Sequence, residues 1–287
     1  MSAEVEKLLA SEWRRWSDSP PQLIRPLSGG LTNRSFLLQA GGDKLVLRVN
    51  TSNFRALDLD RSAEAAALRR ADARHLCAPL VYIDPDRRYL LTRFIHGAKL
   101  ELHQPRALAQ IAQLLRLIHQ LPPISAQLNI AHKADHYWQS IDQAAPFFQP
   151  LSKLHDLMQS LLQQHNDNPR AYCLCHNDLL PDNLILDASG QLRALDWEYA
   201  AVGDPFFDLA TVAQGYQLDR RQQQALLMAY LQRPASDTDM NRLAYWQRVY
   251  RYLSALWYAV QASRSASLSG VTETLSTEIT DLLAAFE

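Results

Sequence analysis

Two hydrophobic rhythms divide the chain. Residues 4–16 place Val5, Leu8, Leu9 and Trp13 on one helical face, and Pro20-Pro21 ends that run. From 22 to 49 the period falls to two. Apolar runs at 23–27, 35–38 and 45–49, parted by turns at 28–33 and 41–43, predict three antiparallel strands. Two further runs, 80–83 and 89–95, joined through a turn at 84–86, complete an expected five-stranded sheet that His96-Gly97 closes. Residues 50–60 read as polar, irregular chain, and Arg61-Ser-Ala-Glu64 opens an Ala-rich helix. Beyond Leu100 the period is helical: 105–120, with Leu108, Ile111, Ala112, Leu115 and Ile118 facing inward, then 135–148 and 154–165, with Pro122-Pro123 and Pro150 as separators. A hairpin at 184–186 and 192–195, across a turn at 187–190, interrupts the helices. They resume at 209–214, 220–231, 240–262 and 271–286. The pattern predicts an α+β protein in two lobes: residues 1–95 carrying the sheet and one helix, a hinge at 96–99, and a mainly helical part at 100–287.

Composition agrees with that division. A chain of 287 residues exceeds the usual size of a single core, and 47% hydrophobic with 21% charged residues is ordinary for a globular protein. Lys+Arg 29 against Asp+Glu 30 leaves no field to attract nucleic acid or an anionic membrane. The opening residues carry acid and lack a signal-peptide core, and the apolar stretch 253–263 is too short to span a bilayer. Three cysteines, two of them at 173 and 175, fit neither a disulfide framework nor a zinc site. A reduced, cytoplasmic setting is expected.

The chemistry concentrates between His176 and Asp208. Asp178 follows a short apolar run and so falls in a loop, with Asn183 five positions on. A hairpin brings its ends together, so Asn183 before its first strand and Asp196 after its second can share one ion, and Asp178 faces the same point. Phosphoryl transfer from a nucleotide uses such a set: one carboxylate for the acceptor hydroxyl, and an oxygen ligand with a second carboxylate for magnesium. Isolated aspartates in turns also serve as helix caps or Asx-turns, so the information lies in the order. That order is His176-x-Asp178, Asn183, a hairpin, Asp196-x-Glu198, then Asp204 and Asp208. The turn Ser28-Gly29-Gly30-Leu-Thr32-Asn33 could bring backbone N–H, hydroxyl and amide donors close to phosphate oxygens, although a plain hairpin turn reads the same way. Phe94 and Ile95 would flank an adenine at the hinge. His119 and His136 read as polar residues of amphipathic helices.

The spacing from Asp178 to Asn183 is that of the protein-kinase catalytic loop, with Asn177 in the Arg slot and Asp196-Trp-Glu in place of D-F-G. In these substitutions the chain resembles the choline kinase and aminoglycoside phosphotransferase families, which share the kinase fold and phosphorylate small molecules. The resemblance runs from Leu27 to about Ala262 and implies ATP and Mg2+ as cofactors. It also implies Arg48 on the phosphates with Glu64 as its helical partner, Asn183 and Asp196 as metal ligands, and Asp178 as the group that orients the hydroxyl. A quaternary ammonium is held by aromatic faces and carboxylates, and the resemblance assigns that task to Tyr199 and Trp257, with Glu198 and Asp208 as nearby carboxylates. Ser254 stands where eukaryotic choline kinases have a second Trp, and Gln214-Gly215-Tyr216 where they have an acid. The implied acceptor is a small cationic alcohol, choline or ethanolamine. Thiamine is an alternative, because bacterial thiamine kinases share Asp-Trp-Glu-Tyr-Ala. An aminoglycoside or amino sugar is another, weakened by modest acidity after residue 210, and a nucleotide-binding regulator without catalysis is a third.

Overall fold

A computed structural model describes residues 3–27, 32–51, 57–104, 106–164, 171–264 and 269–286. Five strands form one antiparallel sheet in the order β1-β2-β3-β5-β4: β1 Gln22–Leu27, β2 Arg34–Ala40, β3 Asp43–Val49, β4 Leu80–Ile83 and β5 Tyr89–Arg93. Successive side chains of a strand face opposite sides. Leu45, Leu47 and Val49 of β3 therefore join Leu38, Tyr89 and Leu91 in a core that helix α1, Ala3–Ser11, covers with Val5 and Leu8. Arg48, between two of those core residues, is turned to the other face, where helix α2, Arg61–Asp72, lies. Asp60 caps α2 by accepting from the N–H groups of Ser62 and Ala63 at 2.8 and 3.0 Å.

Helix α1 stops earlier than its period suggests. Its expected last turn is a separate 3-10 segment, Trp13–Arg15, and Glu12 between them accepts from Tyr89 Oη of β5 and from Arg88 just before that strand. The stretch before α2 is less polar than it reads, because Leu57 and Leu59 are buried in the main core. Gly97–Ala98, where a hinge is expected, forms a two-residue strand, β6. β6 pairs with β8, Leu184–Asp187, which pairs in turn with β9, Leu192–Ala194. Only glycine fits at position 97, because a Cβ there would run into the Leu186 carbonyl and the Ile185 side chain. Strand β7, Cys173–Cys175, pairs with β10, Ala201–Gly203.

The remainder is helical: α3 Ala107–His119, α4 Ile130–Trp138, α5 Phe148–Gln163, α6 Pro205–Gly215, α7 Arg220–Leu231, α8 Asp237–Arg264 and α9 Ser269–Ala284. Two bounds correct the sequence reading. α4 begins near 130 rather than 135 because Asn129 caps it, accepting from His132 N–H at 3.0 Å. α5 begins at Phe148, so Pro150 sits inside its first turn instead of ending the preceding element. A first-turn proline loses no hydrogen bond, since those N–H groups have no intrahelical acceptor. α6 is capped by Asp204, which accepts from Phe206 N–H at 2.8 Å, with Pro205 at its first position. No helix among the described residues is long and apolar enough to cross a membrane.

Candidate active site

The site is built on the loop that leaves β7. Asn177 adopts a left-handed backbone, φ +63°, which turns the chain sharply before Asp178. The turn is held from beneath: Asp208 of α6, fully buried, accepts from the backbone N–H of His176 at 2.9 Å and of Asn177 at 2.6 Å. His119 Nε2 lies 2.9 Å from the same carboxylate and His119 Nδ1 lies 2.8 Å from Tyr230 Oη, so α3 and α7 share the support. Burial would raise the Asp208 carboxyl, but the His119 contact foremost, with the His176 N–H, holds it below its usual range. Asp208 is therefore spent on the loop and does not line the cavity, contrary to the substrate contact expected of it. His119, taken from the sequence as an ordinary helix polar group, is part of this brace. His176 turns inward, its Nε2–H donating to Leu195 O at 2.9 Å, and burial lowers its pKa to about 4.

Asp178, Asn183 and Asp196 line one cavity of about 370 Å3. Asn183 Nδ2 donates to Asp178 Oδ2 at 2.9 Å and to Asp178 O at 2.8 Å. Asp196 follows β9 in a left-handed conformation, φ +57°, and its Oδ1 accepts from Arg48 Nη1 at 2.6 Å. Asn183 Oδ1 and Asp196 Oδ2 accept no hydrogen bond among the described residues. Burial raises the carboxyls of Asp178, Asp196 and Glu198 above their usual range, and the charge of Asp196 adds to it at Asp178 and Glu198, that of Glu64 at Asp196. Arg48 pulls Asp196 and Glu198 back down. Crowded carboxylates with uncommitted oxygens beside an amide oxygen are the donor set that a hard divalent cation fits.

Above this floor runs a buried ionic network. Arg48 donates through Nη2 to Glu64 Oε1 and through Nε to Asn50 Oδ1 at 3.2 Å. Arg61 Nη1 reaches Glu64 Oε2 at 2.9 Å and Glu198 Oε2 at 2.8 Å, and its Nη2 reaches Asn33 Oδ1 at 2.9 Å. Asn33 Nδ2 in turn donates to Glu198 Oε2 at 2.7 Å. Asn33 and Glu198 thus border the cavity with their polar atoms largely engaged by the protein, which leaves less of them for phosphate or substrate than the sequence suggests. Arg61 went unnoticed in the sequence. Its one local signal is the i,i+3 pairing with Glu64 at the start of an Ala-rich helix.

The expected phosphate turn is only partly in view. Ser28, Gly29 and Gly30 lie outside the described residues, whereas Thr32 lines the cavity beside Asn33. Phe94 and Ile95 are half-buried at the end of β5 and are not cavity-lining residues. Phe94 N–H donates to Lys44 O at 2.9 Å, and its ring meets His96 edge-on at 5.0 Å.

Much of the remaining lining forms an aromatic wall. Trp257 Nε1 donates to Tyr199 Oη at 3.0 Å, and Tyr137, Phe207, Tyr250 and Tyr258 complete it. Tyr137 and Tyr250 were not singled out for this wall in the sequence. Lys133, also missed, places its ammonium 5.3 Å from the Tyr137 ring centre and 5.4 Å from that of Tyr199. It donates to Asp58 O and Asp58 Oδ2, each at 3.1 Å. Burial lowers its pKa, and Asp58 partly restores it.

A five-stranded sheet with a mainly helical remainder, and a looped aspartate held by Asn183 in the cavity that Asp196 also lines, is the arrangement of a kinase-like phosphotransferase. A family model described as "Phosphotransferase enzyme family" matches residues 23–261, and the chain belongs to that family. Protein LicA of Haemophilus influenzae is 27% identical over 209 residues, 70% of this chain and 61% of that protein. The thiamine kinase of Salmonella typhi is 32% identical over 155 residues, 52% of each chain. The chain thus spans only part of the length of these curated relatives. Among solved structures, choline kinase LicA from Streptococcus pneumoniae aligns with TM-score 0.80 at 18% identity, over 99% of this chain and 100% of that one. A structure of LicA in complex with AMP aligns at TM-score 0.79 and 18% identity, over 99% of both chains.

Proposed function

We propose that this protein transfers the terminal phosphoryl group of ATP to the hydroxyl of a small cationic alcohol, choline or ethanolamine. One observation carries the reading: the same cavity is lined by Asp178, Asn183 and Asp196 and by Tyr137, Tyr199 and Trp257. An alcohol whose cation rests on those rings would present its hydroxyl to Asp178.

Asp178 is the group we assign to orient that hydroxyl and take its proton. Its raised pKa suits a proton acceptor, and Asn183 fixes its rotamer through the 2.9 Å amide contact. Asn183 Oδ1 and Asp196 Oδ2 would hold Mg2+, which when bound neutralises phosphate charge. Arg48, positioned by Glu64, would grip the phosphates, and it must then loosen its contact with Asp196. The turn from Ser28 to Asn33 would lie over the phosphates, Phe94 and Ile95 beside the adenine, and residues 96–99 would act as the hinge between lobes 1–95 and 100–287. Support for the nucleotide comes from the AMP complex of LicA. An ATP-dependent reaction and three free thiols both suit a reducing cytoplasm.

Thiamine is the second reading, favoured by the breadth of the aromatic wall and by the likeness to thiamine kinase. A coupled ADP-release screen across choline, ethanolamine, thiamine, amino sugars and aminoglycosides decides between them. Magnesium-dependent turnover with choline or ethanolamine is expected. Preference for thiamine would shift the acceptor, preference for an aminoglycoside would contradict the small-alcohol reading, and no turnover with any alcohol would revive a regulator without catalysis.

A further inference from the structure

The aromatic wall already faces a cation, and it belongs to the protein. Lys133 of α4 is largely buried, its side chain 12% exposed, and it lines the same cavity as Asp178. Its ammonium lies within the roughly 6 Å at which a ring face attracts a positive charge, for Tyr137 and Tyr199 together. Asp58 keeps it there through two acceptors, the carboxylate and the backbone carbonyl. Tyr199 is itself fixed by the Trp257 indole, so the rings cannot swing freely toward a second guest.

The carboxylates of the cavity do not offset this charge for a newcomer. Asp196 is paired with Arg48, Glu198 with Arg61, and Asp182 with Lys99. An arriving ammonium therefore meets Tyr137 and Tyr199 faces that are taken, a like charge beside them, and, of the cavity's carboxylates, only Asp178 without a cationic partner among the described residues. We propose that Lys133 is a specificity-determining residue, an internal competitor that occupies the aromatic face a substrate cation needs, so that a bulky quaternary ammonium binds only as Lys133 is displaced. This deepens the reading of the cavity as a cationic-alcohol site and rests on it.

The test uses tetramethylammonium, which has no hydroxyl and cannot be phosphorylated. Its binding to the full chain is measured by calorimetry without nucleotide for wild type, Lys133→Met and Lys133→Arg. Methionine keeps the length and apolar stem of lysine and removes the charge, whereas arginine keeps the charge. Lys133→Met should bind the probe at least about tenfold more tightly than wild type, and Lys133→Arg should stay close to wild type. Equal or weaker binding by Lys133→Met overturns the proposal, and so does failure of every variant to bind. Choline turnover by wild type, with Lys133→Met no tighter for the probe, would keep the proposed function and discard the competitor. Tighter probe binding without turnover of any amino alcohol would keep the competitor and discard the function.

Discussion

Asp178 owes its character to four neighbours and a lack of water. Burial, Asp196, Glu198 and Asp208 all favour its protonated form, and the Asn183 amide opposes them. A carboxyl whose folded pKa is raised stabilises the fold fully at pH below its unfolded value and loses that contribution as pH rises through the folded one. Asp178→Asn is uncharged throughout. In metal-free protein it should therefore match wild type near pH 4 and melt progressively higher than wild type toward pH 8, as thermal denaturation across that range would show. The same variant should lose at least about a hundredfold in kcat while still binding nucleotide. A melting temperature that falls at every pH would mean that the side chain serves as a structural cap. The position of this residue was legible because its spacing to Asn183 and the hairpin is local. The task of Asp208 was not: an aspartate in the first turn of α6 reads alike whether it faces a cavity or two backbone N–H groups from a loop 31 and 32 residues away.

Elements, rather than single side chains, decide where the loop lies. α6 holds it through Asp208, and α3 and α7 hold Asp208 through His119 and Tyr230. Asp208→Ala leaves two buried N–H groups without their acceptor and should cost about 2–4 kcal/mol. At temperatures where the variant stays folded, kcat should fall while KM for the alcohol holds. A rise in KM alone would return Asp208 to the substrate. β6 makes the second such claim. Because position 97 has no room for a Cβ, Gly97→Ala should part β6 from β8 and destabilise the protein by about 1–3 kcal/mol, measurable by urea unfolding. The five main strands were readable from alternation, since Leu45, Leu47 and Val49 bury one face and leave Arg48 on the other. A two-residue strand has no period to read, and β6 escaped for that reason. Lys133 escaped because the Asn129 cap, and with it the true start of α4, was passed over.

Across the whole molecule, the buried network of Arg48, Arg61, Glu64, Glu198 and Asn33 ties the sheet lobe and α2 to the segment that follows β9. Charges so deeply placed are costly unless paired, and the pairs Arg48–Asp196 and Arg61–Glu198 join the sheet and α2 to that segment. The five-stranded sheet and the gathering of Asp178, Asn183 and Asp196 at one cavity could be anticipated from local pattern. The network could not, because it spans from residue 33 to residue 198 and exists only once the lobes meet. The central claim is that this meeting places an activated aspartate where the hydroxyl of a bound cationic alcohol meets ATP. Phosphorus NMR of the products formed from ATP, Mg2+ and choline or ethanolamine tests it most directly. Wild type should give a phosphomonoester of the alcohol alongside ADP, and Asp178→Asn should give neither at a comparable rate. Release of inorganic phosphate without an ester from either alcohol, or an ester formed equally well by Asp178→Asn, would contradict it.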